Sequence, residues 1–176
     1  MRSKALPTLF AALVIVHDSA EAADYSGRAR VIDGDTISIR NQRIRIAAID
    51  ACERDQTGLK DGKVWRCGVA ARSYFGKMID GQHVRCAIID QDQYRRLVGQ
   101  CFIGDVDIGL AMVKAGLAEA MLRYLPATHS ISEVEYGQAE NRARDNGFGM
   151  WSAEIQSPHV YRRAKSSDTS DPRDSQ

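Results

Sequence analysis

Between residues 37 and 46, isoleucine alternates with serine and arginine. Ile37, Ile39, Ile44 and Ile46 interleave with Ser38, Arg40, Arg43 and Arg45. A period of two is that of a strand with one face in the core and one in water. A helix would scatter these isoleucines around its circumference. Asn41-Gln42 supplies a hairpin turn inside this stretch, and Asp33-Gly34-Asp35 supplies another before it. Residues 28–49 are therefore expected to form three strands.

The remaining pattern adds two strands and three helices. Val64, Gly68, Ala71, Phe75, Met78 and Ile79 make one stripe of a helix over 64–80, with Gly81 as its stop. Residues 54–63 are polar with glycines and read as a loop. His83 to Ile89 and Leu97 to Ile103 are strand-like, separated by the turn Asp90 to Arg95. Asp107 caps a short helix ending at Gly116. Ser132 and Glu135 have the spacing of a capping box for a third helix that runs to Asn146 and stops at Gly147. Three strands, a helix and two strands are the order of a five-stranded OB-type β-barrel, here an α+β fold with three helices. At 176 residues, 44% hydrophobic and 27% charged, the chain suits one globular domain. Aromatics are only 7%, so aliphatic residues must dominate the core.

Residues 1–22 read as a secretory signal peptide: Arg2 and Lys4, then an apolar run from Ala5 to Val16, then Ala20-Glu21-Ala22 before the cut. The domain is expected over 23–156, and 157–176, polar and rich in Ser, Asp and Arg, as a disordered tail. The expectation is an exported protein, periplasmic or extracellular, with no membrane attachment once the signal is removed. In an oxidising compartment, four cysteines favour disulfides. Cys86 and Cys101 sit on two strands joined by a turn, where cross-strand bridging is feasible. That favours Cys86–Cys101 and Cys52–Cys67 among the three possible pairings.

Lys and Arg number 24 against 23 Asp and Glu, a net charge of +1. Bulk charge therefore gives no nucleic-acid affinity, and any such function must come from local placement of arginines. Asp35, in a tight turn, and Asp50, at the end of the third strand, can converge into an oxygen site for Ca²⁺ or Mg²⁺. Glu53 follows three residues later and could take a proton from water. Arg45, Arg95 and Arg96 are candidates for bidentate grips on phosphate. Tyr94 and Tyr124 could stack on bases.

The segments Val31 to Thr36 (VIDGDT), Arg45 to Asp50 (RIAAID) through Glu53, and Asp92 to Leu97 (DQYRRL), followed by Gly116-Leu-Ala118 and Gly147 to Ser152 (GFGMWS), resemble the thermonuclease family, the staphylococcal-nuclease-like secreted nucleases, over about residues 28–152. The resemblance implies an OB-type barrel with three helices, one Ca²⁺, and hydrolysis of DNA and RNA phosphodiesters leaving 3′-phosphates. By position it implies Asp35 and Asp50 as metal ligands, Arg45 and Arg96 as phosphate clamps, Glu53 as general base and Tyr94 as a nucleotide contact. Tyr124 lies in a divergent segment.

Two departures stand out. Ala51-Cys52 replaces the usual Thr-Pro or Ala-Pro, so a disulfide is expected to stiffen this loop. Arg95 stands where a glycine usually precedes the second clamp arginine, and Arg96 is preferred over Arg95 as that clamp. The expected function is thus an exported Ca²⁺-dependent nuclease with low sequence preference. It would be monomeric, with DNA and RNA as substrates and no stable protein partner. The alternative is a non-catalytic OB-type module that binds nucleic acid or protein. Retention of Asp35, Arg45, Asp50, Glu53 and Arg96 together favours the enzyme. Oxygen ligands alone do not separate Ca²⁺ from Mg²⁺ or Mn²⁺.

Overall fold

The computed structural model describes residues 24–168. The expected signal segment lies outside them. The strands β1 (Asp24–Asp33), β2 (Thr36–Ile39) and β3 (Gln42–Ile46) form an antiparallel meander. β7 (His83–Gln91) pairs with the free side of β1, and β8 (Leu97–Ile103) with β7. The parallel pairing of β3 with β8 then closes the five-stranded barrel. This is the expected OB-type α+β architecture. Ile37, Ile39, Ile44 and Ile46 are all at most 1% exposed, so the alternation maps onto the barrel interior. Each such buried side chain contributes roughly 1.5–3 kcal/mol.

Three elements plug and flank the barrel. Helix α1 (Cys67–Ile79) buries Ala71, Phe75 and Ile79. Helix α2 (Ile108–Lys114) starts at Asp107, whose Oδ1 accepts from the Leu110 N–H at 3.1 Å. Helix α3 (Glu133–Asp145) starts at Ser132, whose hydroxyl accepts from the Glu135 N–H at 3.3 Å. Two sequence landmarks meet face to face. The Met150 N–H donates to the Gly116 carbonyl at 2.8 Å. A Cβ at Gly149 would lie 2.1 Å from that carbonyl oxygen, so only glycine permits the approach.

Both expected disulfides form, Cys52–Cys67 and Cys86–Cys101. Each closes a sequence separation of 15 residues. A loop of that length corresponds to about 3 kcal/mol in the chain-entropy account.

The structure differs from the sequence expectation in four places. The hairpin turn falls on Arg40-Asn41, one residue earlier, because both adopt positive φ (48° and 67°) and Ile39 pairs with Gln42. The expected loop over 54–63 contains a small hairpin, β5 (Gly58–Lys60) and β6 (Lys63–Trp65), turning at Asp61-Gly62. That hairpin delays the start of α1 to Cys67. A fourth helix, α4 (Pro158–Asp168), lies where a disordered tail was expected. Its sequence is charged because it docks through charges, and Pro158 opens it with a preset φ. The short strand β9 (Val106–Asp107) pairs with β8, and a short sheet of β4 (Ile49–Ala51) with β10 (Ala118–Ala120) sits beside the barrel and faces α4.

Candidate active site

Three expected site residues converge: Asp35 and Arg45 on the barrel, and Asp50 not at the end of the third strand, which stops at Ile46, but on the separate strand β4. Thr36 and Arg45 are paired across β2 and β3, which sets Arg45 beside the turn that holds Asp35. Arg45 Nη1 donates to Asp35 Oδ2. Arg45 Nη2 donates to Asp50 Oδ1 at 2.9 Å and to the Ile49 carbonyl at 3.2 Å. One guanidinium therefore spans both carboxylates. Burial alone would lower its pKa, but Asp35 and Asp50 outweigh that and hold it above the ordinary arginine value. The Thr36 hydroxyl donates to Asp35 Oδ1 at 2.8 Å and fixes its rotamer.

Asp50 is fully buried on β4, opposite Glu119 of β10. Its Oδ2 is a buried oxygen without a hydrogen-bond partner. An orphaned carboxylate oxygen in such a place is costly unless a cation completes it. Asp35 and Asp50 bring carboxylate oxygens to one guanidinium, and oxygen donors of this kind suit a hard divalent ion. Among the described residues no group of three or more His, Cys, Asp or Glu side chains is placed to hold a metal ion.

Glu53 is held by the loop that follows. Its N–H donates to Gln56 Oε1 at 3.1 Å, and its carbonyl accepts from the Gln56 N–H at 2.8 Å. Gln56 is buried and anchors outward through Nε2 to the Gln156 carbonyl at 2.8 Å. Gly68, in the first turn of α1, packs so closely that a Cβ there would lie 1.9 Å from the Glu53 carbonyl oxygen. The Cys52–Cys67 bridge ties the same loop to the same helix end. Burial raises the Glu53 pKa, Arg162 opposes this, and Asp35, Asp33 and Asp50 add to the rise. A partly desolvated carboxylate of raised pKa suits proton abstraction better than an ordinary surface glutamate.

The turn after β7 supplies the second arginine. Asp92 Oδ1 accepts from the N–H groups of Tyr94 and Arg96, both at 2.9 Å, and Asp92 Oδ2 accepts from Arg96 Nε at 2.7 Å. Burial would raise the Asp92 pKa, but its bonds to Arg96 outweigh this and lower it. Arg95 sits at φ 62°, the left-handed conformation that a glycine would adopt freely. Tyr94 is 71% exposed, with the Arg96 guanidinium 5.5 Å from its ring centroid. Tyr124 is 70% exposed, and Arg123 lies over its ring at 4.9 Å.

These residues line two connected depressions. A cleft of about 600 Å³ contains Asp35, Arg45, Glu53, Tyr94, Arg95 and Arg96. A groove of about 660 Å³ shares Arg45, Tyr94 and Arg96 with it and extends past Asp50 to Tyr124. All seven expected site residues thus border one continuous surface.

Sequence reasoning missed one charged residue of the site. Arg162 of α4 donates from Nε to Glu53 Oε1 at 2.9 Å and from Nη2 to Asp50 Oδ1. Gln56 and Gly68 were also missed. An amide and a glycine in a polar stretch carry no chemical signature until the loop is seen closed.

The model of the family described as staphylococcal nuclease homologue matches residues 43–153. The chain belongs to that family. Membership places it among nucleases, hydrolases of the phosphodiester bond. The matched segment holds Arg45, Asp50, Glu53 and Arg96, whereas Asp35 and Arg162 fall outside it. This staphylococcal nuclease homologue is 31% identical over 155 residues to the succinoglycan biosynthesis protein ExoI of Rhizobium meliloti (strain 1021), covering 86% of this chain and 78% of that one. It is 29% identical over 143 residues to the probable endonuclease lcl3 of Sclerotinia sclerotiorum, covering 77% of this chain and 53% of that one. An uncharacterized endonuclease of Haemophilus influenzae is 28% identical over 127 residues, covering 69% of this chain and 63% of that one. The staphylococcal nuclease homologue thus spans about half to three quarters of the length of these relatives.

Proposed function

We propose that this staphylococcal nuclease homologue is an exported, Ca²⁺-dependent nuclease that hydrolyses DNA and RNA with low sequence preference and leaves 3′-phosphates, acting as a monomer. The observation that carries the reading is Arg45 spanning Asp35 and the buried Asp50, with Asp35, Arg45, Glu53 and Arg96 lining one cleft. A non-catalytic module has no chemical need for all five of these residues. The names of the fungal and Haemophilus relatives, endonucleases, support the same reading. Two disulfides support export, and no described helix is long and apolar enough to cross a membrane.

Asp35 and Asp50 would hold the ion. When bound, it would polarise a phosphate oxygen and neutralise part of the scissile group's charge. Glu53 takes a proton from water, and the resulting hydroxide attacks phosphorus in line with the 5′ oxygen. Arg45 and Arg96 hold the equatorial oxygens while charge builds on them. The bond to the 5′ oxygen breaks, that oxygen takes up a proton from solvent, and a 3′-phosphate and a 5′-hydroxyl are left. Tyr94 and Tyr124 offer faces to bases without reading their edges, which accounts for weak sequence preference.

The test is cleavage of single-stranded DNA, double-stranded DNA and RNA by the oxidised protein with Ca²⁺, Mg²⁺, Mn²⁺ or chelator, with analysis of product ends. Ca²⁺-dependent products bearing 3′-phosphates are expected. Tight binding of nucleic acid without cleavage under every ion would establish the non-catalytic module instead.

A further inference from the structure

We propose that Arg162 is a built-in counter-ion of the site carboxylates that a divalent metal must displace, so that α4 sets the metal affinity of the site. The inference rests on the metal reading of Asp35 and Asp50 given above. Arg162 reaches Asp50 and Glu53 across 112 and 109 residues of sequence, and its guanidinium lies against the same Asp50 whose other oxygen has no partner. A cation is therefore already seated where a metal would gain most. Asp50 Oδ1 already accepts from two guanidinium groups, those of Arg45 and Arg162, so a divalent ion on the same carboxylate adds further positive charge and strong repulsion unless the more exposed of the two, Arg162, leaves.

The attachment of α4 is built to give way. It has 11 residues, too few for a helix to be stable alone. Polar contacts anchor it: Arg162 with Asp50 and Glu53, Lys165 with Asp55, and His159 Nδ1 at 3.7 Å from Glu119 Oε2, with the Gln156 carbonyl just before the helix accepting from Gln56. Arg162 is 41% exposed and Lys165 58%, so both cations have a path to solvent. Metal binding and docking of α4 are thus linked, and each weakens the other by the same factor.

Calorimetric titration of Ca²⁺ into the metal-free full chain and its Arg162→Ala variant, at one ionic strength, tests this without reference to activity. The variant is expected to bind Ca²⁺ about tenfold more tightly, as befits removal of a charge-assisted bond. Equal or weaker binding by a folded variant would overturn the proposal and leave the metal reading intact. If neither protein takes up Ca²⁺, Mg²⁺ or Mn²⁺, the metal reading fails and this proposal with it. Hydrogen exchange of the unmodified protein gives a second measure. Amides of residues 158–168 are expected to exchange faster with Ca²⁺ present, and unchanged or slower exchange would overturn the proposal.

Discussion

The backbone N–H of Glu53 donates to the side-chain Oε1 of Gln56 at 3.1 Å, and that same side chain donates to the carbonyl of Gln156 at 2.8 Å. One buried amide therefore couples the Glu53 loop to the segment that leads into α4.

Replacement of Gln56 by leucine keeps the volume and removes both bonds. Both bonds are part-buried, and leaving such a donor and acceptor unpaired costs about 1–3 kcal/mol in all. The expected outcome is a loss of stability of that order in urea denaturation and a fall in kcat with little change in substrate affinity. Wild-type stability and turnover in this variant would show that Gln56 does not hold Glu53.

Arg95 occupies a left-handed backbone at φ 62°. That conformation costs a residue with a Cβ about 1–2 kcal/mol, and glycine loses about 0.4–1 kcal/mol through its freer unfolded chain. Arg95→Gly is therefore expected to raise stability by roughly 0.5–1 kcal/mol, read as a higher Tm. The Asp92 caps on Tyr94 and Arg96 stay in place, so Arg96 keeps its position. A lower Tm would contradict this.

Glu119 gives a pH dependence. Burial, then the neighbouring Glu140 and Asp50, push its pKa from 4.5 up to about 7, while Arg144 and Arg123 pull the other way and His159 faces it at 3.7 Å. The folded state holds the Glu119 proton more tightly than the unfolded chain. Its contribution to stability is therefore fully present below about pH 4.5 and is lost as pH rises through about 7. Metal-free protein is expected to lose stability over that window, and Glu119→Gln should remove that component of the slope. Denaturation midpoints measured from pH 4.5 to 8 check it, and identical slopes in both proteins would refute it.

The barrel was legible because its signal is repetitive. Four isoleucines at period two leave one possible inward face, and the structure buries all four. Asp35, Arg45, Asp50, Glu53 and Arg96 were legible as a set because phosphate chemistry needs carboxylates and arginines, and their segments follow in order. The β5–β6 hairpin was not legible, since Val64 is 72% exposed and Leu59 44%, so no alternation marks it. Helix α4 was hidden for a related reason. Arg162 and Lys165 dock on Asp50, Glu53 and Asp55. Charged partners scattered through 50–55 leave no period in the sequence of the helix itself. Gln56 and Gly68 matter only through atoms that approach after folding.

The central claim is that Glu53 activates water beside phosphate-gripping arginines. The single-turnover rate of Glu53→Gln on single-stranded DNA with Ca²⁺ tests it most directly, with nucleic-acid affinity measured alongside. The account predicts a rate lower by roughly 10²–10⁴ with affinity nearly unchanged. Cleavage at the wild-type rate would contradict it.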